Sequence, residues 1–364
     1  FPDIDSLWSL HGSIAGFAHH RGITHTFLGV PFEAGLIVAA VYGFHRVRLA
    51  RAGRKQAAPA SPQDDHIRID RPLTAAPLRW GLLYLFALLA LLSHLLLDYT
   101  NNYGLRPFFP FNPHWYAASI VFIFDPLIFA LLLLALVVPA LLGLVHREVS
   151  TRRQPFKGRA WAISALLAII ALWTLREVQH NQAVTLALQQ SAPAPTTPAP
   201  SDAPPVDPSA PVPDAPTPTY LPALRALANP DPLNPFRWYT VADFGPFYQL
   251  AQVDTHTGSL ENSGVDLPKP VASPTLVAAE ASALGRVYLD WSSMPVITEV
   301  PSGQPGVTTV TFRDPRFMGH IPFLSDTGHT PLTGAVEVDS SGRIVHETMA
   351  SPTIPDPPPP APAN

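Results

Sequence analysis

Four long apolar stretches constrain this chain more than any other feature. They run from about Thr24 to Phe44, Trp80 to Leu97, Ser119 to Val145 and Ala160 to Leu175. A bilayer-crossing helix needs about 20 mostly apolar residues, within a range of about 17–25. The first three stretches reach that length. The fourth reaches it if Trp161 and Trp173 sit in the two interfacial belts, and otherwise reads as an interfacial or buried helix. The pattern predicts an α-helical integral membrane domain of about four spans. Composition agrees: only 14% of the 364 residues are charged, against about 25% in soluble domains. The net charge of −4 gives no basic footprint, so no nucleic-acid partner is expected. Phe1-Pro-Asp reads as the exit of an upstream helix, and no signal-peptide pattern is present.

Basic residues set the orientation. Arg46, Arg48, Arg51, Arg54, Lys55, Arg68, Arg71 and Arg79 lie between the first and second stretches. Arg147, Arg152, Arg153, Lys157 and Arg159 lie between the third and fourth, whereas Tyr99 to Ala118 holds Arg106 alone. The positive-inside rule places both basic loops in the cytoplasm. The expected location is the bacterial cytoplasmic (inner) membrane, multi-pass, with the C-terminal part extracytoplasmic and the bilayer as immediate partner.

Composition then divides the chain. Residues 1–180 form the helical membrane domain. Residues 191–218 are a Pro/Ala-rich stretch that reads as an extended linker. Residues 219–350 read as a small extracytoplasmic α+β domain with a mainly antiparallel sheet, and 351–364 as a disordered Pro-rich tail. Strands are expected at Phe236–Val241, Phe247–Val253 and Val307–Phe312, with a turn at His256–Ser259 and a helix over Ala278–Trp291. A hairpin is expected around Asp339-Ser-Ser-Gly342.

The chain has no cysteine, which excludes disulfides, thiolate metal sites and cysteine nucleophiles. A metal would be held by His, Asp or Glu. His94 and Asp98 stand four apart and share one helical face. His20 and His25 flank Gly22, which permits a tight turn before the first span. Asp3 and Asp5 form a D-x-D run, and Asp125 precedes Pro126, read as weakening the helix ladder near the start of the third span. Each group alone also has a structural reading: a buried His–Asp hydrogen bond, a polar interfacial loop, a capping loop, an acid paired with a hydroxyl. Together they fall at one expected depth on one face. Imidazole and carboxylate donors suit zinc, manganese or iron, and about six ligands suffice for one or two ions. Arg21, Asn101 and Arg106 are candidate substrate contacts. Asp254, His256, Asp326 and His329 of the C-terminal part read as surface loops.

These motifs resemble the YdjM family of inner-membrane proteins, which are classed as metal-dependent hydrolases. The likeness rests on Pro2-Asp3-Ile-Asp5, His20-Arg-Gly-Ile-Thr-His25, His94-Leu-Leu-Leu-Asp98 followed by Thr100 and Gly104, and Asp125-Pro126, and covers about Phe1 to Arg176. The runs at 234–238 and 312–317 resemble the downstream module of longer members. The resemblance implies Asp3, Asp5, His20, His25, His94, Asp98 and Asp125 as the metal-site set. It also implies an opening helix with a Thr-His motif, which this sequence does not contain.

The expected function is a membrane-embedded metal-dependent hydrolase using a divalent metal, zinc or manganese, to activate water. Asp5, Asp98 or Asp125 would act as base or orienter. A lipid or lipid-linked (phospho)ester fits the depth of the site. The alternative is a non-catalytic membrane anchor presenting an extracytoplasmic binding domain. An ion-coupled transporter fits less well, because polar residues do not continue across the spans.

Overall fold

The computed structural model describes residues 2–56, 78–149, 158–195, 219–318 and 330–349. The chain divides into two units, Phe1–Ala118 and Ser119–Asn364.

In the first unit, a 3-10 segment at Pro2–His11 leads into the short helix α1 (Ser13–His19) and a 3-10 turn at Ile23–His25. Two long helices follow, α2 (Gly29–Gln56) and α3 (Trp80–Thr100). The first span was expected to start at Thr24, but the helix starts at Gly29. A bend of 83° separates the Ser13–His25 stretch from Gly29–Arg51. The break is built locally: Thr26 Oγ1 donates to the Ile23 carbonyl and accepts from Gly29 N–H, so His25 is left on the bend. Val30 and Ala34 of α2 pack on Leu91, Leu95 and Leu105, a stripe at helical spacing that joins α2 to α3.

The second unit holds α4 (Pro126–Val149) and α5 (Gly158–Leu188), which pack on each other. The third span was expected from Ser119, with Pro126 disturbing it. Instead the helix begins at Pro126. Asp125 Oδ1 accepts from Leu127 N–H at 3.0 Å and Ile128 N–H at 3.1 Å, and proline is favoured at the first helical position because its missing N–H has no partner there anyway. The fourth span was expected to be short, yet α5 has 31 residues, about 46 Å at 1.5 Å per residue. By length and composition α3 and α5 can cross a membrane, and the bent pair makes a third if counted as one span. The described apolar part of α4, Pro126–Leu142, is shorter. Among the described residues there are thus two or three helices able to span, plus a C-terminal region of antiparallel sheets.

One sheet is a meander of β3 (Arg225–Pro230), β4 (Arg237–Asp243), β5 (Phe247–Asp254) and β6 (Ser259–Pro268). The other has the order β10-β9-β8-β7, formed by β7 (Val296–Pro301), β8 (Val307–Arg313), β9 (Gly334–Asp339) and β10 (Ile344–Thr348). The expected hairpin is β9–β10, and Asp339 Oδ1 accepts from both Ser341 and Arg343 N–H in its turn. The helix expected over Ala278–Trp291 is two: α6 (Pro274–Glu280) and α7 (Ala283–Trp291). Ser282 between them caps α7 by accepting from Gly285 N–H. A Cβ on Gly285 would lie 2.1 Å from the Ala279 carbonyl, so the corner requires glycine.

The end of α5 is part of this region. Ala183 packs with Ala228, Trp238 and Val253 of the meander. Beyond it, β1 (Ser191–Pro193) pairs antiparallel with β2 (Tyr220–Pro222). The two ends of the Pro/Ala-rich stretch therefore meet, and α5 itself joins helix to sheet. Residues 196–218, the tail 351–364, Arg68, Arg71, Arg152, Arg153, Lys157, Asp326 and His329 lie outside the described residues.

Candidate metal centre

The bend before α2 and the last turns of α3 bring the histidines together. His25 is fully buried on the bend, and His94 reaches toward it from α3. Their Nε2 atoms face each other at 3.4 Å. Asp98, one turn beyond His94, places Oδ2 3.4 Å from each Nε2. Asp3 places Oδ1 3.4 Å from His25 Nε2 and Oδ2 3.7 Å from His94 Nε2. Asp3, His25 and His94 each offer a ligand atom within 4.8 Å of the others. An ion with bonds of about 2.0–2.2 Å in tetrahedral geometry needs ligand atoms about 3.3–3.6 Å apart. The 3.4 Å spacings among His25, His94 and Asp98, and from Asp3 to His25, fall in that range, and Asp3 to His94 at 3.7 Å lies just beyond it.

Polar satisfaction supports the fit. Asp98 Oδ2 is buried and has no hydrogen-bond partner. Its other oxygen accepts from Arg21 Nη2 at 2.8 Å and from Asn101 Nδ2 at 3.4 Å. Buried carboxylate oxygens are expensive unless paired with a donor or a cation. Two imidazole nitrogens facing the same orphaned oxygen form a set that a divalent cation would satisfy.

Asp5 orients His25. Its Oδ2 accepts from Arg21 N–H at 2.7 Å and Thr24 Oγ1–H at 3.1 Å, and stands 3.2 Å from His25 Nδ1. Nδ1–H directed at this carboxylate leaves the Nε2 lone pair for the centre. Burial alone would raise the Asp5 pKa. The hydrogen bonds and charges of His20 and His25 outweigh it and hold the carboxyl well below the usual range. His20, half-buried, has Nδ1 3.6 Å from the other Asp5 oxygen and its ring edge against Tyr103.

The remaining expected residues are distributed as follows. Arg21 is buried, with Nη1 donating to Asn101 Oδ1 and the Gly104 carbonyl and the guanidinium over the Tyr103 ring. It adopts φ +52, an uncommon conformation for a side-chain-bearing residue. Asn101 Oδ1 also accepts from Tyr103 and Gly104 N–H. Both residues are thus committed to holding Asp98 and its loop. Arg106, half-buried, lies over the Trp115 and Phe109 rings and donates to the Ala18 carbonyl. Asp125 belongs to the second unit, where its Oδ2 pairs with fully buried Arg176 while Oδ1 caps α4. In the C-terminal region, Asp254 Oδ1 accepts from His256 and Thr257 N–H, as a turn residue would. Sequence reading passed over Glu33, an acid inside the first apolar stretch whose position there was its visible signal; it is buried on α2.

A helical membrane protein with a His/Asp centre at the bend and end of apolar helices is the class these features define. The chain belongs to the YdjM family, described as YdjM inner membrane protein, which matches residues 1–183. It is also similar to "Uncharacterized protein YfhP" of Bacillus subtilis (strain 168), at 30% identity over 128 residues. That stretch is 35% of this chain and 30% of the relative, so the chain spans under a third of that protein's length. No solved structure matches.

Proposed function

We propose that the chain is a membrane-embedded metal-dependent hydrolase acting on a lipid or lipid-linked (phospho)ester. The observation that carries this reading is the meeting of His25 Nε2, His94 Nε2 and the orphaned Asp98 Oδ2 at 3.4 Å from one another, with Asp3 alongside. These four residues would hold zinc or manganese, with no cysteine available to compete. When bound, such an ion activates water and polarises the oxygen of the ester.

The chain's own residues divide the remaining work. Asp5 stays anionic and fixes the His25 ring, so it orients and does not serve as base. Arg21 and Asn101 hold Asp98. His20, half-buried and beside Asp5, would in this reading take a proton from the attacking group and deliver it to the leaving oxygen. Arg106 is the remaining substrate contact, suited to a phosphate.

The rim favours an amphiphilic substrate. Ile4, Leu7, Trp8 and Leu10 on the Pro2–His11 segment that carries Asp3 and Asp5, and Phe27 and Phe111 of other loops, are exposed. Apolar and aromatic side chains around a polar centre suit the bilayer interface. In this reading the chain has four spans, with α4 and the bent pair completing α3 and α5, and the C-terminal region lies outside the cytoplasm.

The test is hydrolysis of a long-chain phosphodiester presented in vesicles by the purified full-length protein. Chelation should abolish turnover and zinc or manganese restore it. Asp5→Asn should lower turnover by about 10–100-fold through the misplaced His25 ring. Turnover that survives both chelation and His94→Ala would sink the proposal. A competing reading, an anchor presenting a binding domain, draws on one observation: α5 packs into the β3–β4–β5 face, a rigid mount for a recognition sheet.

A further inference from the structure

Arg176 of α5 gathers groups from two other places in the second unit. Its Nη1 donates to the Ile120 carbonyl at 3.3 Å and pairs with Asp125, and its Nη2 donates to the Pro232 carbonyl at 3.4 Å. The segment before α4 and the β3–β4 turn therefore meet at one fully buried guanidinium. Arg176 also stands at a defined depth. α5 is long and apolar enough to cross a membrane, with Arg159 and Trp161 near its start and Trp173 just before Arg176, the residue types that flank a span. The rise from Gly158 to Arg176 is about 27 Å at 1.5 Å per residue, close to a hydrocarbon core thickness of about 30 Å. A span that enters the core near Gly158 leaves it near Arg176, so Asp125 and Pro232 stand at that boundary.

The β3–β4 turn is built for a place with little water. Asp231 N–H donates to the Arg237 carbonyl at 3.0 Å, and Arg237 N–H to the Asn234 carbonyl at 3.2 Å. Asp231 Oδ1 accepts from Leu233 and Asn234 N–H, and Asn234 Oδ1 from Phe236 N–H. Pro230, Pro232 and Pro235 have no N–H to satisfy. Every backbone N–H from Asp231 to Arg237 thus has its partner within the turn. Carbonyls are taken as well: Pro232 by Arg176, Pro235 by Trp238 Nε1 and Phe236 by Thr255. Unsatisfied backbone groups are costly where water is scarce, whereas a turn in water can leave them to solvent. Against this closed backbone Leu233 is 49% exposed. Ile123 and Phe124, beside Asp125, are exposed too, and the Phe124 ring lies 5.6 Å from that of Phe129 on α4. Phe129, Leu132 and Leu133 continue the exposed apolar surface along α4. A singly exposed leucine is ordinary. One held beside the root of an apolar helix surface shares what covers that surface, which in a membrane protein is lipid.

We propose that the β3–β4 turn is a membrane-contacting foot of the meander: Leu233, with Ile123 and Phe124, enters the interfacial layer of the leaflet at which α5 leaves the bilayer. The partner is the phospholipid bilayer itself. The meander is then seated at two places, on α5 and on lipid through this turn. The inference rests on α5 crossing the membrane and is independent of the metal centre.

The cysteine-free chain permits site-directed spin labelling of the full-length protein in phosphatidylcholine vesicles. A nitroxide is placed in turn at Leu233→Cys, at Phe124→Cys, at Leu167→Cys on the exposed apolar face of α5, and at Gln304→Cys in the β7–β8 turn. Its collisions with oxygen, which concentrates in lipid, are compared with those with a water-soluble nickel chelate. The expected oxygen-to-nickel ratio at Leu233 and Phe124 is several-fold above that at Gln304 and below that at Leu167. A ratio at Leu233 or Phe124 equal to that at Gln304 overturns the proposal, and a high ratio at Leu167 in the same series shows that the span itself stands. Low accessibility of Leu233 to both collision partners means that protein covers it, a second copy included, and overturns the proposal equally. A water-like ratio at Leu167 overturns the crossing of α5 and this inference with it.

Discussion

Arg21 shows how much one residue can carry. Its backbone N–H fixes Asp5, its guanidinium clamps Asp98 and Asn101, and its face lies on Tyr103. Arg21→Ala leaves Asp98 buried without its cation, and loss of one partner from a buried pair costs about 3–5 kcal/mol. Chemical denaturation should show that loss, and Arg21→Lys should recover only part of it, since one ammonium cannot reproduce the planar fork. The same logic applies to Asp125, which both caps α4 and pairs with Arg176. Asp125→Ala should destabilise the protein by a similar amount while leaving metal content unchanged; metal lost at retained stability would return Asp125 to the ligand set. Asp243 gives a pH-dependent counterpart. Burial works against its charge, but Lys269, the Gly245 N–H and Arg225 outweigh it and lower its pKa. A carboxyl depressed on folding stabilises fully above its unfolded value of about 3.9, and that stability is lost as pH falls through the folded value. Melting temperature should therefore drop on acidification below about pH 4, and Asp243→Asn should flatten that slope.

At the scale of elements, local chemistry decided where helices begin. Thr26, Asp125 and Ser282 each set a boundary through side-chain hydrogen bonds to the backbone. Ser282→Ala should cost about 1 kcal/mol, read by denaturant melts, because α7 loses its cap. Apolar run length made α3 legible to within a few residues, as alternation did for β4, β5, β8 and the β9–β10 hairpin. It could not locate the starts of α2 and α4. Thr24 to Gly29 and Ser119 to Asp125 are as apolar as the helices they precede, and hydropathy does not register a capping hydroxyl or an Asx-Pro start. The end of α5 was hidden for the opposite reason. Gln179 to Leu188 is too polar to read as a span, yet Ala183 and Ala187 are small enough to seat the helix on the sheet. Ala183→Leu should overpack that seat and cost about 1–3 kcal/mol.

The site followed a similar division. The spacing of His94 and Asp98 and the HRGxTH run were enough to nominate His20, His25, His94 and Asp98, because each motif carries its own short-range geometry. That Asp98 would turn one oxygen to the imidazoles and the other to Arg21 depends on the loop at Asn101–Gly104, and only the fold reveals it.

For the whole molecule, α5 and the paired ends of the Pro/Ala-rich stretch mean that the β3–β6 meander is mounted directly on a candidate span. Its side of the membrane is then the side on which α5 ends. The chain has no native cysteine, so Gln304→Cys in the exposed β7–β8 turn gives a single reporter; an impermeant maleimide should label it in intact cells, and labelling only after permeabilisation would reverse the proposed orientation. The central claim concerns the centre between α3 and the bend before α2. Elemental analysis of purified full-length protein beside a His25→Ala, His94→Ala double variant tests it most directly. The account predicts near-stoichiometric zinc or manganese in the wild type and its loss in a variant that still folds; a wild type free of metal after reconstitution, or a double variant that retains it, would contradict the account.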